Sequence, residues 1–174
     1  MSSILTIYRD KSFDASTLFG RHLESENITT EEDRRILACT EIDLDMVELV
    51  SMLDASETNG IPGTERIRRI REWGYIPLDV RIWEALFFHQ TNLIPESWKN
   101  SIGGHDACIF FDGTQAYATG DPHNSRCGLW MSWLTKHGSP RWTFGVGWHD
   151  VLSRRLNVVS AVLPSNQGST RTLQ

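Results

Sequence analysis

The sequence has no long apolar run, and this absence bears on where the protein works. None of its hydrophobic stretches approaches the roughly 18 residues that argue for a membrane span. Its first fourteen residues contain no basic leader, and the apolar stretch at residues 4–8 is too short for a signal peptide. We therefore expect a cytoplasmic protein that does not associate with a membrane.

Cysteine is also scarce. The 174 residues include three cysteines, which lie far apart and contain no CxxC pair. An odd, widely spaced set is atypical of a disulfide framework or a zinc knuckle. We expect Cys39, Cys108 and Cys127 to be unpaired thiols in a reducing compartment.

The sequence lacks the fingerprints of common catalytic and cofactor sites. It contains no GxSxG elbow, no cysteine-protease signature, no HExxH or HxH pair, and no phosphate-loop or dinucleotide motif. The glycines Gly145 and Gly147 fall inside a predicted strand, so they do not form a phosphate loop. These absences favour a non-enzymatic role, and we expect no cofactor.

Charge is present but unevenly distributed. The net charge is -5, which argues mildly against a main role in neutralising nucleic-acid phosphates. From Glu24 to Glu57, eleven acidic residues stand against two arginines, whereas the rest of the chain is net positive. A surface acidic enough to attract a basic partner is therefore expected in the first third of the chain.

The first half of the sequence reads mainly as helical. A short strand is predicted at residues 4–8, and Asp14 can cap a short helix that ends near Leu23. Capping boxes at Thr29 with Glu32, or Thr30 with Asp33, predict a helix over residues 29–40. An i, i+3, i+4, i+7 apolar stripe predicts another over residues 44–55, formed by Met46, Leu49, Val50 and Leu53.

Two further helices are predicted before the change of pattern. The first begins at Thr64 as N-cap and ends at Gly74. The second starts at Asp79 and runs to about Gln90, and apolar residues cover most of its circumference. We interpret this second helix as the central buried helix of the protein.

After residue 103 the hydrophobic period changes from helical to alternating. Residues 107–111 and 114–118 flank Asp112-Gly113, a pair typical of a type I′ turn, and this pattern predicts a hairpin. Further strands are predicted at residues 127–134, 141–148 and 157–163. Four tryptophans lie on these strands: Trp130, Trp133, Trp142 and Trp148. Because burial of an aromatic side chain is strongly favourable, we expect most of them to be buried.

Together these patterns predict an α+β fold in which N-terminal helices pack on a C-terminal, Trp-rich antiparallel sheet. The helical part spans about residues 14–91 and the β part about residues 105–163. We expect one domain over residues 1–164, followed by a flexible tail at residues 165–174, which is polar and follows Pro164.

The leading functional hypothesis is a protein-interaction module of the inhibitor, immunity or adaptor kind, which binds a basic protein partner. It places the contact on an acidic helical surface formed by Glu31, Glu32, Glu41, Asp45 and Glu48. On one helix, Glu41, Asp45 and Glu48 would repel one another at i, i+4 and i+7, and a partner could offset that cost. A merely solvated acidic face is the plainer alternative.

Two alternatives come from other functional classes. A small metal-dependent hydrolase or nuclease would use the polar residues of the second half as ligands, namely His105, His123, His149 and Asp150. A nucleic-acid contact would use one face of the helix at residues 65–73, with Arg66, Arg69 and Trp73. Pairing of Glu65 with Arg69 and of Arg68 with Glu72 explains the same helix without a ligand.

Overall fold

The computed structural model describes residues 3–10, 14–25, 27–54, 56–57, 60–99, 108–119, 125–134, 140–149 and 158–164. The described residues form an α+β structure with helices and a mostly antiparallel sheet, as the sequence predicts. The predicted tail at residues 165–174 lies outside this part, and the assignment of residues 1–164 to one domain stays a prediction.

The helices lie between short strands of the first half. The α-helices are α1 (Ala15–Leu23), α2 (Gly63–Glu72) and α3 (Val80–Glu84), and α3 continues into a π-helix at Ala85–His89. The strands are β1 (Ile4–Thr6), β2 (Ile28–Glu32), β3 (Glu41–Asp43), β4 (Glu48–Val50), β5 (Tyr75–Pro77), β6 (Cys108–Ala118), β7 (Cys127–Leu134), β8 (Arg141–Trp148) and β9 (Val158–Pro164).

Seven strands form the main sheet. Its central order is β4-β9-β6-β7-β8, while β2 pairs with the end of β6 and β5 pairs with the end of β9. Strands β6 and β9 run parallel, and the other pairs are antiparallel. A separate two-stranded sheet joins β1 to β3.

Local signals explain where three of the predicted helices begin or end. The Asp14 carboxylate accepts hydrogen bonds from the backbone N–H groups of Ser16 and Thr17, and the Asp79 carboxylate accepts one from Ile82. Gly74 has φ of 78°, a conformation that favours glycine and ends α2. The helices starting at Asp14 and at Asp79 are therefore confirmed. A helix also forms near Thr64, but the predicted N-cap is wrong, because α2 begins at Gly63 after Pro62 and has no side-chain cap.

The helix predicted over residues 29–40 is wrong. Thr29 and Thr30 lie in β2, where their backbones pair with Tyr117 and Ala116 of β6. The Thr29 hydroxyl bonds to that of Thr119 at 2.7 Å instead of capping a helix. Strand pairing with a distant segment thus outweighs a local capping pattern, as β-branched threonines permit.

The helix predicted over residues 44–55 is also wrong. The segment contains a 3-10 turn at Leu44–Met46, followed by β4, which pairs with β9. The Asp43 side chain accepts a hydrogen bond from the backbone N–H of Asp45 and so starts the turn. Because β1–β5 all precede α3, the predicted division into N-terminal helices and a C-terminal Trp-rich sheet is not confirmed.

The predicted hairpin at Asp112-Gly113 is wrong as well. Strand β6 continues through both residues, and the register with β7 shifts between Phe111 and Ala116. Gly113 is needed for close approach rather than for a turn, since an added Cβ would lie 2.6 Å from the carbonyl oxygen of Pro77. The Gly113 N–H donates to Leu78 O at 2.9 Å.

Helices cover both faces of the sheet. On one face, Trp83 of α3 and Phe87 of the π-helix contact Phe144 of β8, with ring centroids 5.0 and 4.8 Å apart. This contact confirms that the helix beginning at Asp79 packs on the antiparallel strands. On the other face, Ile70 of α2 packs in a buried cluster with Val162 of β9.

The tryptophans of β7 and β8 are less buried than expected. Trp130, Trp133 and Trp142 are half-buried, and Trp148 is exposed. Trp133 and Trp142 contact each other across the two strands, with ring centroids 5.3 Å apart. The expected burial of most of these side chains is therefore only partly reached.

Cys39, Cys108 and Cys127 form no disulfide in the described part of the chain, as expected. Burial raises the pKa of the Cys127 thiol to about 12, so this group stays protonated at neutral pH. Its packing among apolar residues identifies it as a core side chain rather than a nucleophile.

Candidate interaction surface

A buried charged cluster lies beneath α2. The Arg66 guanidinium donates two hydrogen bonds to the Asp112 carboxylate, at 2.9 and 2.7 Å. The Ser160 hydroxyl donates a third, at 2.6 Å, and the Arg66 guanidinium lies 4.0 Å from the centre of the Phe110 ring. These contacts connect α2 to the neighbouring strands β6 and β9.

Electrostatics keeps Asp112 ionised in this interior. Burial alone would raise the pKa of Asp112, but the charge of Arg66 and the hydrogen bonds from Arg66 and Ser160 lower it below its ordinary value. The Nε2 atom of His149 lies 3.9 Å from an Asp112 oxygen and acts in the same direction when protonated. The cluster is therefore a paired, hydrogen-bonded set of buried charges.

Two glycines make room for His149 beside this cluster. A Cβ at Gly63 would lie 2.8 Å from the Cα atom of His149, and one at Gly128 would lie 2.5 Å from its Nε2 atom. The backbone N–H of His149 donates to Arg126 O at 2.7 Å. Because Arg66, Asp112, Ser160 and His149 are all buried, we assign the cluster a structural role.

The structure describes only one of the four residues of the predicted metal site. His149 is described and buried, whereas His105, His123 and Asp150 lie outside the described residues. Among the residues that are described, no three histidine, cysteine or acidic side chains are arranged to hold a metal ion. The metal-dependent hydrolase stays an untested prediction.

The predicted nucleic-acid face of α2 needs a correction. Arg66 is 3% exposed and points into the interior, so it does not share a free surface with Arg69 and Trp73. Arg69 donates to Glu65 at 2.7 Å and to Glu57 at 2.6 Å. The expected pairs Glu65 with Arg69 and Arg68 with Glu72 are both present, and Trp73 is exposed at the end of the helix.

Two of the five predicted partner-binding acids are not fully exposed, unpaired charges. Glu31 forms an ion pair with Arg126, whose hydrogen bonds lower the pKa of that carboxyl. Glu32 is half-buried, and burial together with the charge of Asp79 raises its pKa. Both residues lie on strand β2, not on a helix, so the predicted helical surface does not exist.

The other three predicted acids are exposed. Glu41 lies on β3, Asp45 on the 3-10 turn and Glu48 on β4, and we call these three residues the acidic strip. None of the three forms an ion pair with another residue of the described ranges. Two exposed apolar side chains adjoin the strip: Met46 follows Asp45, and Ile4 of β1 pairs in register with Asp43.

Sequence reasoning missed the buried cluster. Its members are far apart in the chain, and no local pattern connects Arg66 to Asp112 or Ser160. One signal was present, because Asp112 follows the apolar run from Ile109 to Phe111, where an acid requires a buried partner. Because the predicted hairpin places Asp112 in an exposed turn, where water solvates a carboxylate, it implies no buried partner for this residue.

No known protein family, curated protein or solved structure matches this chain. Within the described ranges, every helix is too short or too polar to cross a membrane.

Proposed function

We propose that the protein is a non-enzymatic interaction module that binds a basic protein partner through the acidic strip. One observation carries the proposal: Glu41, Asp45 and Glu48 are exposed, and no cation of the described residues pairs with them. Three of the four arginines of α2 and Arg126 are occupied by acidic residues within the chain, namely Arg66 by Asp112, Arg68 by Glu65 and Glu72, Arg69 by Glu57 and Glu65, and Arg126 by Glu31.

The position of the acidic strip supports a role in binding rather than in folding. The three acids lie on three successive short elements, so they do not meet the i, i+4 repulsion that one helix would impose. Their negative field extends over roughly one Debye length, about 8–10 Å at physiological salt. Such a field speeds association with a basic surface and weakens as salt is added.

Apolar contact area lies beside these charges. Met46 is 41% exposed and Ile4 is 42% exposed, so a partner that docks on the acidic strip would also cover apolar surface. Methionine adapts its flexible side chain to different partners. A basic partner with apolar side chains between its cations fits this combination best.

The test neutralises the acidic strip and measures binding of an oligolysine peptide. We expect the triple variant Glu41→Gln, Asp45→Asn, Glu48→Gln to lose affinity for the peptide at low salt by about 10-fold or more. The salt dependence of binding should flatten at the same time, because fewer charges attract the peptide. Thermal stability should change little.

A matched control removes three exposed carboxylates elsewhere, through Asp10→Asn, Glu24→Gln and Glu96→Gln. It changes the net charge by the same amount and should keep most of the binding. Equal losses in the two triple variants would reduce the effect to overall charge and contradict the proposal. Capture from cell extract with the same pair of variants then identifies a partner, which must be basic and absent from the strip variant.

A further inference from the structure

The two strands at the ends of the central strand order, β4 and β8, differ in length and in charge. Among the described strands, β4 and β8 each have a neighbour on one side, β9 and β7 respectively. Strand β4 has three residues, and Glu48 is exposed on it. Strand β8 has eight residues, and residues 142–148 carry no charge.

Proteins normally protect such edges against pairing with another chain. Short strands, charged side chains, proline and β-bulges are the usual devices, and β4 uses the first two. Strand β8 has none of them beyond Arg141 at its start, and its register with β7 is continuous from Trp148 to Arg141. Its backbone is therefore ready to form hydrogen bonds with a further strand.

Exposed aromatic side chains accompany this edge. Phe144 is 40% exposed and Trp148 is 37% exposed, while Phe88 of the π-helix is 55% exposed and lies beside Phe144, with ring centroids 6.4 Å apart. On its inner side, the Phe144 ring packs against the rings of Trp83 and Phe87. An added strand would cover much of what remains exposed.

We propose that β8 pairs antiparallel with β8 of a second copy of this chain, about a two-fold axis close to Phe144 or Gly145. An axis perpendicular to the sheet keeps each face of the sheet on its own side. Side chains of the same face therefore meet, so even-numbered residues lie opposite even-numbered ones. The two sheets then join into one continuous sheet.

The two faces of β8 suit this pairing. Trp142, Phe144, Val146 and Trp148 form an apolar face, which meets the same face of the second copy. The other face is small, because a Cβ at Gly145 would lie 2.5 Å from the ring of Trp130. Trp130 of each copy thus covers its own glycines and does not obstruct the neighbouring strand.

Charge disfavours a basic foreign strand at this edge and does not oppose a second copy. Strands β7 and β8 contain no carboxylate, so a basic foreign strand finds no complementary charge there. In the self-paired arrangement the two Arg141 side chains lie about six residues apart along the strands, or about 20 Å, well beyond screening range. Glu48 on β4 lies four strand spacings from β8, about 19 Å, so the acidic strip does not oppose the approach.

The test uses opposite charges at Phe144, with sedimentation equilibrium as the measurement. The unmodified protein should be a dimer. Phe144→Glu and Phe144→Lys should each raise the dissociation constant on the order of 100-fold, since apolar burial is lost and like charges meet near the axis. An equimolar mixture of the two variants should restore the dimer, because the unlike charges then face each other.

Controls separate pairing at β8 from other causes of a change in mass. Trp73→Lys alters an exposed aromatic on α2 and should leave the dimer intact, and circular dichroism checks that every variant is folded. An unmodified protein that stays monomeric at all soluble concentrations overturns the proposal, even if the Phe144 variants do not fold. Dimeric Phe144 variants, or a mass that grows without limit through pairing of β4 with β8, also overturn it.

Discussion

Two arginines of α2 lie two residues apart in the sequence and in opposite surroundings. Arg66 is buried and pairs with Asp112, whereas Arg68 is exposed and pairs with Glu65 and Glu72. An unpaired buried charge has no water to solvate it, whereas an exposed charge loses little when its partner is removed. Burial of the cation, not the number of ion pairs, therefore decides how much each pair contributes to the free energy of unfolding.

The largest effect is expected at the interior pair. Asp112→Ala leaves the Arg66 guanidinium buried without its counter-ion and the Ser160 hydroxyl without its acceptor. We expect a loss of about 3–5 kcal/mol in the free energy of unfolding, measured by urea denaturation. A loss below about 1 kcal/mol would show that water reaches this cluster and would remove the contrast between the two arginines.

The same interior pair predicts a dependence on acid. The pKa of Asp112 is lowered in the folded state, so its contribution is fully present above the pKa of an unfolded aspartate, about 3.9. It is lost as the pH falls through the lower folded value. Urea denaturation from pH 6 downwards should therefore show an acid-dependent loss that is smaller in Asp112→Ala.

An intermediate effect is expected where the cation is partly exposed. Arg9 donates to Asp79 at 2.7 Å, and the Asp79 carboxylate also caps α3. Asp79→Ala should cost about 2–3 kcal/mol, from the lost cap and the lost charge-assisted hydrogen bond. Asp79→Asn keeps part of the cap and should recover some of that cost in the same urea experiment. A cost equal to that of Asp112→Ala would contradict the ranking by burial.

A smaller effect comes from a histidine at the border between interior and solvent. Burial lowers the pKa of His22, which lies against Trp148 with ring centroids 4.6 Å apart. The protonated form is thus disfavoured in the folded state, and stability should fall as the pH drops below about 6.5. His22→Phe keeps a ring at this position and should remove that part of the pH dependence. Identical pH profiles for the two proteins would show that His22 is fully solvated.

The smallest effect is expected on the outer face of α2. Glu72→Gln removes one partner of Arg68, which retains Glu65 and its hydration. We expect a change in the free energy of unfolding that is within the error of measurement and vanishes at high salt. A loss as large as that of Asp79→Ala would mean that the surface ion pairs act as a cooperative network.

The sequence predicts those elements whose signals are local. Asp14 and Asp79 cap helices through neighbouring backbone groups, and the alternating pattern sets the bounds of β7 and β8 correctly. The elements predicted wrongly depend on distant partners: Thr29 and Thr30 pair with β6, and Gly113 is held against Pro77 and Leu78. Neither partner can be identified from one sequence without an alignment.

The candidate site divides in the same way. An excess of acid was visible in the composition, and it identifies Glu41, Asp45 and Glu48, which are exposed. Which acids are neutralised within the chain could not be predicted, because the partner of Glu31 is Arg126, 95 residues away. For the same reason the burial of Arg66 could not be read from the helix pattern alone.

The position of β9 has a consequence for how the chain folds during synthesis. This strand is the last of the described strands to be made, yet it lies between β4 and β6 near the middle of the sheet. Until it emerges from the ribosome, β4 has no strand partner and the start of β6 lacks its parallel neighbour. The Asp112 carboxylate likewise lacks the hydrogen bond that the Ser160 hydroxyl donates. Contacts between such distant segments form slowly, so the nascent chain exposes unpaired strand edges to neighbouring molecules until β9 has been made and has paired.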